Sequence, residues 1–154
     1  MVAAGRVLVV GYGNPLCGDD GAGPAVVERL ASDARLAGAE LWTRHQLTPE
    51  LATDIAGASL VVLVDAVAGP PPGDIAVAGV GHAPERGSAW SHHIDPEGLV
   101  ALALELFGAA PPVYTVCVAA GAMNAGDGLS PAVAAALPAA ADAVVRIVEA
   151  HAHA

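Results

Sequence analysis

The sequence predicts an α/β fold in three layers: a mostly parallel, twisted sheet of about five strands with helices on both faces. Three observations predict it. Short runs rich in valine and leucine alternate with longer segments that open at Asp, Ser or Thr, the usual helix starters. Two of those runs, Val7 to Val10 and Leu60 to Val64, are apolar throughout, as strands covered on both sides are. Finally, 55% of the residues are hydrophobic but only 3% are aromatic, so the core must be built from Ala, Val and Leu.

The elements follow in order. Arg6 to Val10 reads as a buried strand bounded by the turn residues Gly11, Gly13 and Asn14. Asp19 or Asp20 stands where a helix N-cap belongs, ahead of a helix over Pro24 to Leu36. Glu40 to Thr43 makes a second strand. Thr48, Pro49 and Glu50 have the cap-then-proline form of a helix start, with that helix reaching about Ala56. Leu60 to Val64 forms a third strand, ending at Asp65. Gly69 to Gly73 is a proline-rich loop, and Asp74 to Val80 a further strand at an edge of the sheet. A polar loop from Gly81 to Ala89 leads to Asp95, Pro96 and Glu97, which open a helix to Phe107. Val113 to Ala119 is the next strand. Ser130 and Pro131 begin a last helix reaching about Ala150, and His151 to Ala154 is expected to fray. The 154 residues suit one domain over 1–154.

Charge and composition exclude several functions. The formal net charge is −10, which argues against a nucleic-acid partner, since that needs a basic footprint. All six basic residues are arginine, so Schiff-base and phosphate-loop lysine chemistry is impossible. Cys17 and Cys117 form no CxxC pair and read as two thiols in a reducing compartment. The first ten residues lack the basic flank and cleavage site of a leader, and Val7 to Val10 is too short to span a bilayer. The expectation is a cytoplasmic protein with no membrane partner, monomeric because nothing in the chain argues for a dimer.

In open α/β sheets, ligands bind outside the carboxyl ends of the strands. Asp19 and Asp20 follow the first strand, Asp65 closes the third, and His92 and His93 precede the helix after the fourth. Two carboxylates and an imidazole from separate strand ends suit zinc, nickel or manganese, with positions left open for water or substrate. Each residue also has a plainer reading. Asp19 or Asp20 could cap a helix. Asp65 could be a loop acid or a ribose-binding acid, and the histidines could lie on the surface. His45, His82, His151 and His153 have no supporting neighbours. There is no GxGxxG, GxSxG or HExxH motif.

One segment is more specific: Gly11-Tyr12-Gly13-Asn14-Pro15-Leu16-Cys17-Gly18-Asp19-Asp20-Gly21-Ala22-Gly23. It resembles the N-terminal signature of the hydrogenase maturation peptidases, a strand followed by GxGN, a short loop, an acid pair and a small-x-Gly helix opening. Val64-Asp65-Ala66, Ser91-His92-His93 and Gly128-Leu129-Ser130-Pro131-Ala132-Val133, with Ala136-Leu137-Pro138, resemble the same family in the same order. The resemblance covers nearly the whole chain. It implies metal ligands at Asp20, Asp65 and His93, the last as the third position of Ser-x-His. It implies catalytic roles for the same three, with Asp19 as a further acid or merely a cap.

The resemblance implies an endopeptidase whose partner is the [NiFe] hydrogenase large-subunit precursor. It would remove the C-terminal extension by one cut after a His or Arg beyond the last metal-binding cysteine motif. The nickel comes with the substrate and serves as the recognition signal; another divalent metal could use the same site. One departure stands out. Arg44-His45-Gln46-Leu47-Thr48 replaces the Asp-Gly-Gly-Thr-like turn of many relatives, which puts the substrate subgroup in question and leaves His45 as a residue lining the cleft. Two other readings stay open: a non-catalytic chaperone binding nickel and precursor through the same ligands, and a nucleotide site on the glycine-rich turn. The acid pair disfavours the nucleotide site, because it would repel phosphate.

Overall fold

The computed structural model describes residues 5–69, 71–81, 94–126 and 128–152. Five strands form one sheet: β1 (Val7–Tyr12), β2 (Glu40–Arg44), β3 (Leu60–Ala68), β4 (Ile75–Gly79) and β5 (Val113–Ala120). Their order is β2-β1-β3-β5-β4. The first three pairs are parallel, and β4 runs antiparallel along β5 at the edge. The expected mostly parallel sheet of five strands, with helices on both faces, is what the chain forms.

Helices α1 (Ala22–Leu30) and α4 (Pro131–Ala152) cover one face; α2 (Leu51–Ala56) and α3 (Pro96–Phe107) cover the other. The alternation of each strand makes this possible. Val9, Val62, Val64, Val116 and Val118 pack with Val26, Leu30, Val144 and Val145 on the first face. Leu8, Val10, Val61, Leu63 and Val113 pack with Leu51, Ile55, Leu99 and Leu102 on the second. Successive side chains point to opposite faces, so a strand covered on both sides must be apolar at every position. Each fully buried Leu or Val contributes about 1.5–3 kcal/mol relative to exposure.

Several element boundaries differ from the sequence reading. The first helix ends at Leu30 rather than Leu36, and a separate 3-10 turn, Ala34–Leu36, follows. The Asp33 carboxylate accepts the Arg35 N–H at 2.9 Å, the kind of side-chain bond that draws the backbone out of a helix. Neither Asp19 nor Asp20 caps α1; Gly21 holds that position without a side-chain bond. The second helix is capped at Glu50 rather than Thr48, again without a side-chain bond. The third strand does not end at Asp65 but runs on to Ala68, because β5 continues to pair with it as far as Ala120. The last helix extends to Ala152, so His151 is helical rather than frayed.

Other starts and stops follow expectation. Asp95 accepts the Gly98 N–H at 2.7 Å, Pro96 opens α3, and Gly108 ends it in a left-handed conformation. By length and composition alone α4 could cross a membrane, yet Val133, Ala140, Val144 and Val145 are packed into the core.

Candidate functional site

The connections from β1 define a crevice. Its successor β2 lies to one side, reached over α1 on one face; β3 lies to the other, reached over α2 on the opposite face. Such a reversal leaves an opening at the carboxyl ends of the two central strands. The acid pair Asp19-Asp20 follows β1 in a 3-10 turn, Gly18–Gly21, and Asp65 lies in the neighbouring β3.

Three glycines bring the turn that close. A β-carbon on Gly11 would sit 2.3 Å from the Gly23 carbonyl oxygen, and one on Gly23 would sit 2.4 Å from that of Val64. Helix α1 therefore starts directly against β1 and β3. Gly13 has φ +141°, and a β-carbon there would lie 2.0 Å from the Asp20 carbonyl oxygen. These contacts explain why the glycines of the N-terminal signature stand where they do.

Asp20 is half-buried, and its Oδ2 accepts the Asn14 N–H at 2.7 Å. Asp65 is half-buried too. Its Oδ1 accepts the Ala66 N–H at 2.8 Å, and Tyr12 donates its hydroxyl to the same carboxylate. Burial pushes the Asp65 carboxyl from 3.8 to about 6. The Ala66 and Tyr12 hydrogen bonds pull against that rise, and the nearby charge of Asp20 adds to it. The two acids are thus brought together in one crevice.

Asp19 is quite different. It is fully buried, and its carboxylate takes four hydrogen bonds: from the Gly121, Ala122 and Ser130 N–H groups at 2.7, 3.1 and 2.6 Å, and from the Ser130 hydroxyl at 2.8 Å. Burial alone would raise its proton affinity. The bonds from Ser130, Ala122 and Gly121 outweigh burial and hold it below the ordinary carboxylate range.

His92 and His93 lie outside the described residues, as does His82. The described chain resumes at Ile94, which packs on the α2–α3 face of the sheet, the face that carries Tyr12. Among the described residues, no group of three or more His, Cys, Asp or Glu side chains could hold a metal ion. Asp20 and Asp65 bring two carboxylates to the crevice. His45 is exposed in the turn after β2. Both cysteines are free and half-buried.

Sequence reading missed three neighbours of this site. Tyr12 lies beyond the strand that the sequence predicts, although the period-two pattern through Leu8 and Val10 puts it on their face once the strand is extended. Cys117 is the register partner of Asp65 on β5; burial raises its thiol, a Thr115 hydrogen bond opposes this, and the Asp65 charge adds to it. Ser130 has the local pattern of a helix cap, and its bond to Asp19 spans 111 residues, which no local pattern announces.

No protein-family model matches the sequence, and no curated protein matches it. Solved structures do. A hydrogenase 2 maturation peptidase from a Thaumarchaeota archaeon is 29% identical with a TM-score of 0.72, over 94% of this chain and 98% of that one. The hydrogenase maturating endopeptidase HybD from E. coli is 25% identical with a TM-score of 0.69, over 94% and 92%. In both sequence and fold the chain is similar to hydrogenase maturation peptidases. A third structure, the [NiFe] hydrogenase maturation protease HycI from Thermococcus kodakarensis, is 21% identical with a TM-score of 0.72, over 96% and 95%, and shares the fold. The chain carries its two crevice acids on the loop after the first strand and on the third strand.

Proposed function

We propose that this peptidase removes the C-terminal extension of a nickel-loaded [NiFe] hydrogenase large-subunit precursor and uses that nickel to recognise it. The observation that carries this reading is the convergence of Asp20 and Asp65 at the reversal of strand order. Two carboxylates in an open crevice offer oxygen donors to a divalent metal that arrives on the substrate. His93 is proposed as the third donor. With the precursor's nickel held there, the scissile carbonyl is polarised or a water beside it is made more acidic. Another divalent ion could take the same ligands, and a cytoplasmic, monomeric enzyme is in keeping with this role.

The test is incubation of the full chain with nickel-loaded and nickel-free precursor, followed by mass spectrometry of the precursor. The nickel-loaded form is expected to lose its tail. The nickel-free form is not, and Asp20→Ala, Asp65→Ala and His93→Ala are each expected to abolish the cut. Equal cleavage of both forms would refute nickel-guided recognition. A precursor that is bound but never shortened would make the chain a chaperone.

A further inference from the structure

We infer that Asp19 is a positioning residue: its carboxylate clasps the loop that carries Asp20 to the segment after β5 and so fixes where the Asp20 carboxylate points. The inference rests on the site reading above, in which Asp20 meets the substrate.

Asp19 is unsuited to meet substrate itself. It is fully buried, Oδ2 already accepts three hydrogen bonds, and Oδ1 accepts the Ser130 N–H. A charged carboxylate so enclosed is stable only because of those donors, and hydrogen bonds to a charged group are among the stronger ones. The clasp works in both directions, because the Asp19 N–H donates to the Ala122 carbonyl at 2.7 Å. It joins three parts of the chain: the turn after β1, the end of β5 and the entry to α4.

Neighbouring contacts extend the clasp into a small unit. The Gly126 N–H donates to the Leu16 carbonyl at 2.8 Å, and Cys17 bridges Ala125. Asp20 is then fixed from two sides. One peptide unit away, Asp19 is anchored to Gly121, Ala122 and Ser130; on the other side, Asn14 holds the Asp20 carboxylate while Gly13 admits its carbonyl. Loosening the clasp frees one of the two anchors. A shift of about 1 Å in a reacting group costs on the order of a hundredfold in rate.

The experiment uses the full chain with a nickel-loaded large-subunit precursor as the probe. Ser130→Ala removes one of the four bonds and leaves the backbone donor in place, while Asp19→Asn removes the charge and puts an NH2 donor where one of the two acceptor oxygens stood. For folded Ser130→Ala, kcat is expected to fall about tenfold with KM unchanged within twofold, and Asp19→Asn is expected to lose more. Ser130→Thr, which keeps the hydroxyl, is expected to restore most of the rate. The Asn14 amide proton reports on the Asp20 carboxylate by NMR and is expected to move upfield in Ser130→Ala and back in Ser130→Thr. Should Asp19→Asn fail to fold, the Ser130 pair decides alone. Wild-type kcat in folded Ser130→Ala, with Asp20→Ala inactive, overturns this inference and leaves the site reading standing. Full cleavage by Asp20→Ala overturns the site reading and this inference together.

Discussion

Tyr12 and Asp65 lie on adjacent parallel strands and share a hydrogen bond, with the phenol donating to the carboxylate. Burial and the Asp65 charge raise the Tyr12 phenol, so it stays a donor throughout the physiological range. This bond opposes the effect of burial on Asp65, and the balance sets the acidity of the crevice.

Tyr12→Phe removes a group that lowers the Asp65 carboxyl. The Asp65 value is then expected to rise above about 6, and the acid limb of the cleavage profile to move to higher pH. A pH series of precursor cleavage measures this. A limb that stays in place would show that Asp65 does not govern the profile.

Asp65 also links stability to pH. Its folded value of about 6 lies above the ordinary 3.8, so the folded state binds its proton more tightly than the unfolded chain. Stability from this group is present at low pH and is lost as pH rises from about 4 to about 6. Asp65→Asn abolishes that loss. The variant is expected to melt about 5–10 °C above the parent at pH 8, with the gap closing toward pH 4. Thermal melts across that window test it, and a parent more stable than the variant at pH 8 contradicts it.

Gly13→Ala places a methyl group where the Asp20 carbonyl stands and imposes a side chain at φ +141°. Backbone must move to relieve this. We expect a loss of about 2 kcal/mol or more and a large fall in cleavage, because the displaced turn carries Asp20. Urea unfolding with a parallel cleavage assay checks both, and a variant with parental stability would refute the close approach.

Leu99→Ala tests the packing behind the site. Leu99 is fully buried between α3 and the sheet, so its truncation leaves a cavity. The expected cost is about 2–5 kcal/mol by denaturant unfolding. A loss below 1 kcal/mol would mean that α3 is not seated as described.

Much of the fold was legible because its signals are local. The valine-rich runs, the Asp95-Pro96 helix start and the apolar edge strand announce themselves within a few residues. Where the reading slipped, a distant partner was responsible. The third strand continues past Asp65 because β5 offers it further pairs, and β5 lies some fifty residues away in the chain. Asp19 looked like a helix cap because Asp often is one, whereas its real partners are at 121, 122 and 130.

By itself the sequence determined the α/β class, the strand and helix periods, the glycines of the signature and the chemical type of the crevice acids. All of these depend on residue identity and short-range sterics. Only the tertiary structure decided that the two adjacent aspartates have different environments. Asp19 is enclosed by donors from the far end of the chain, while Asp20, one peptide unit on, opens toward Asp65. The physical reason is that a carboxylate's proton affinity and freedom follow from what surrounds it, and those surroundings come from segments that meet only on folding.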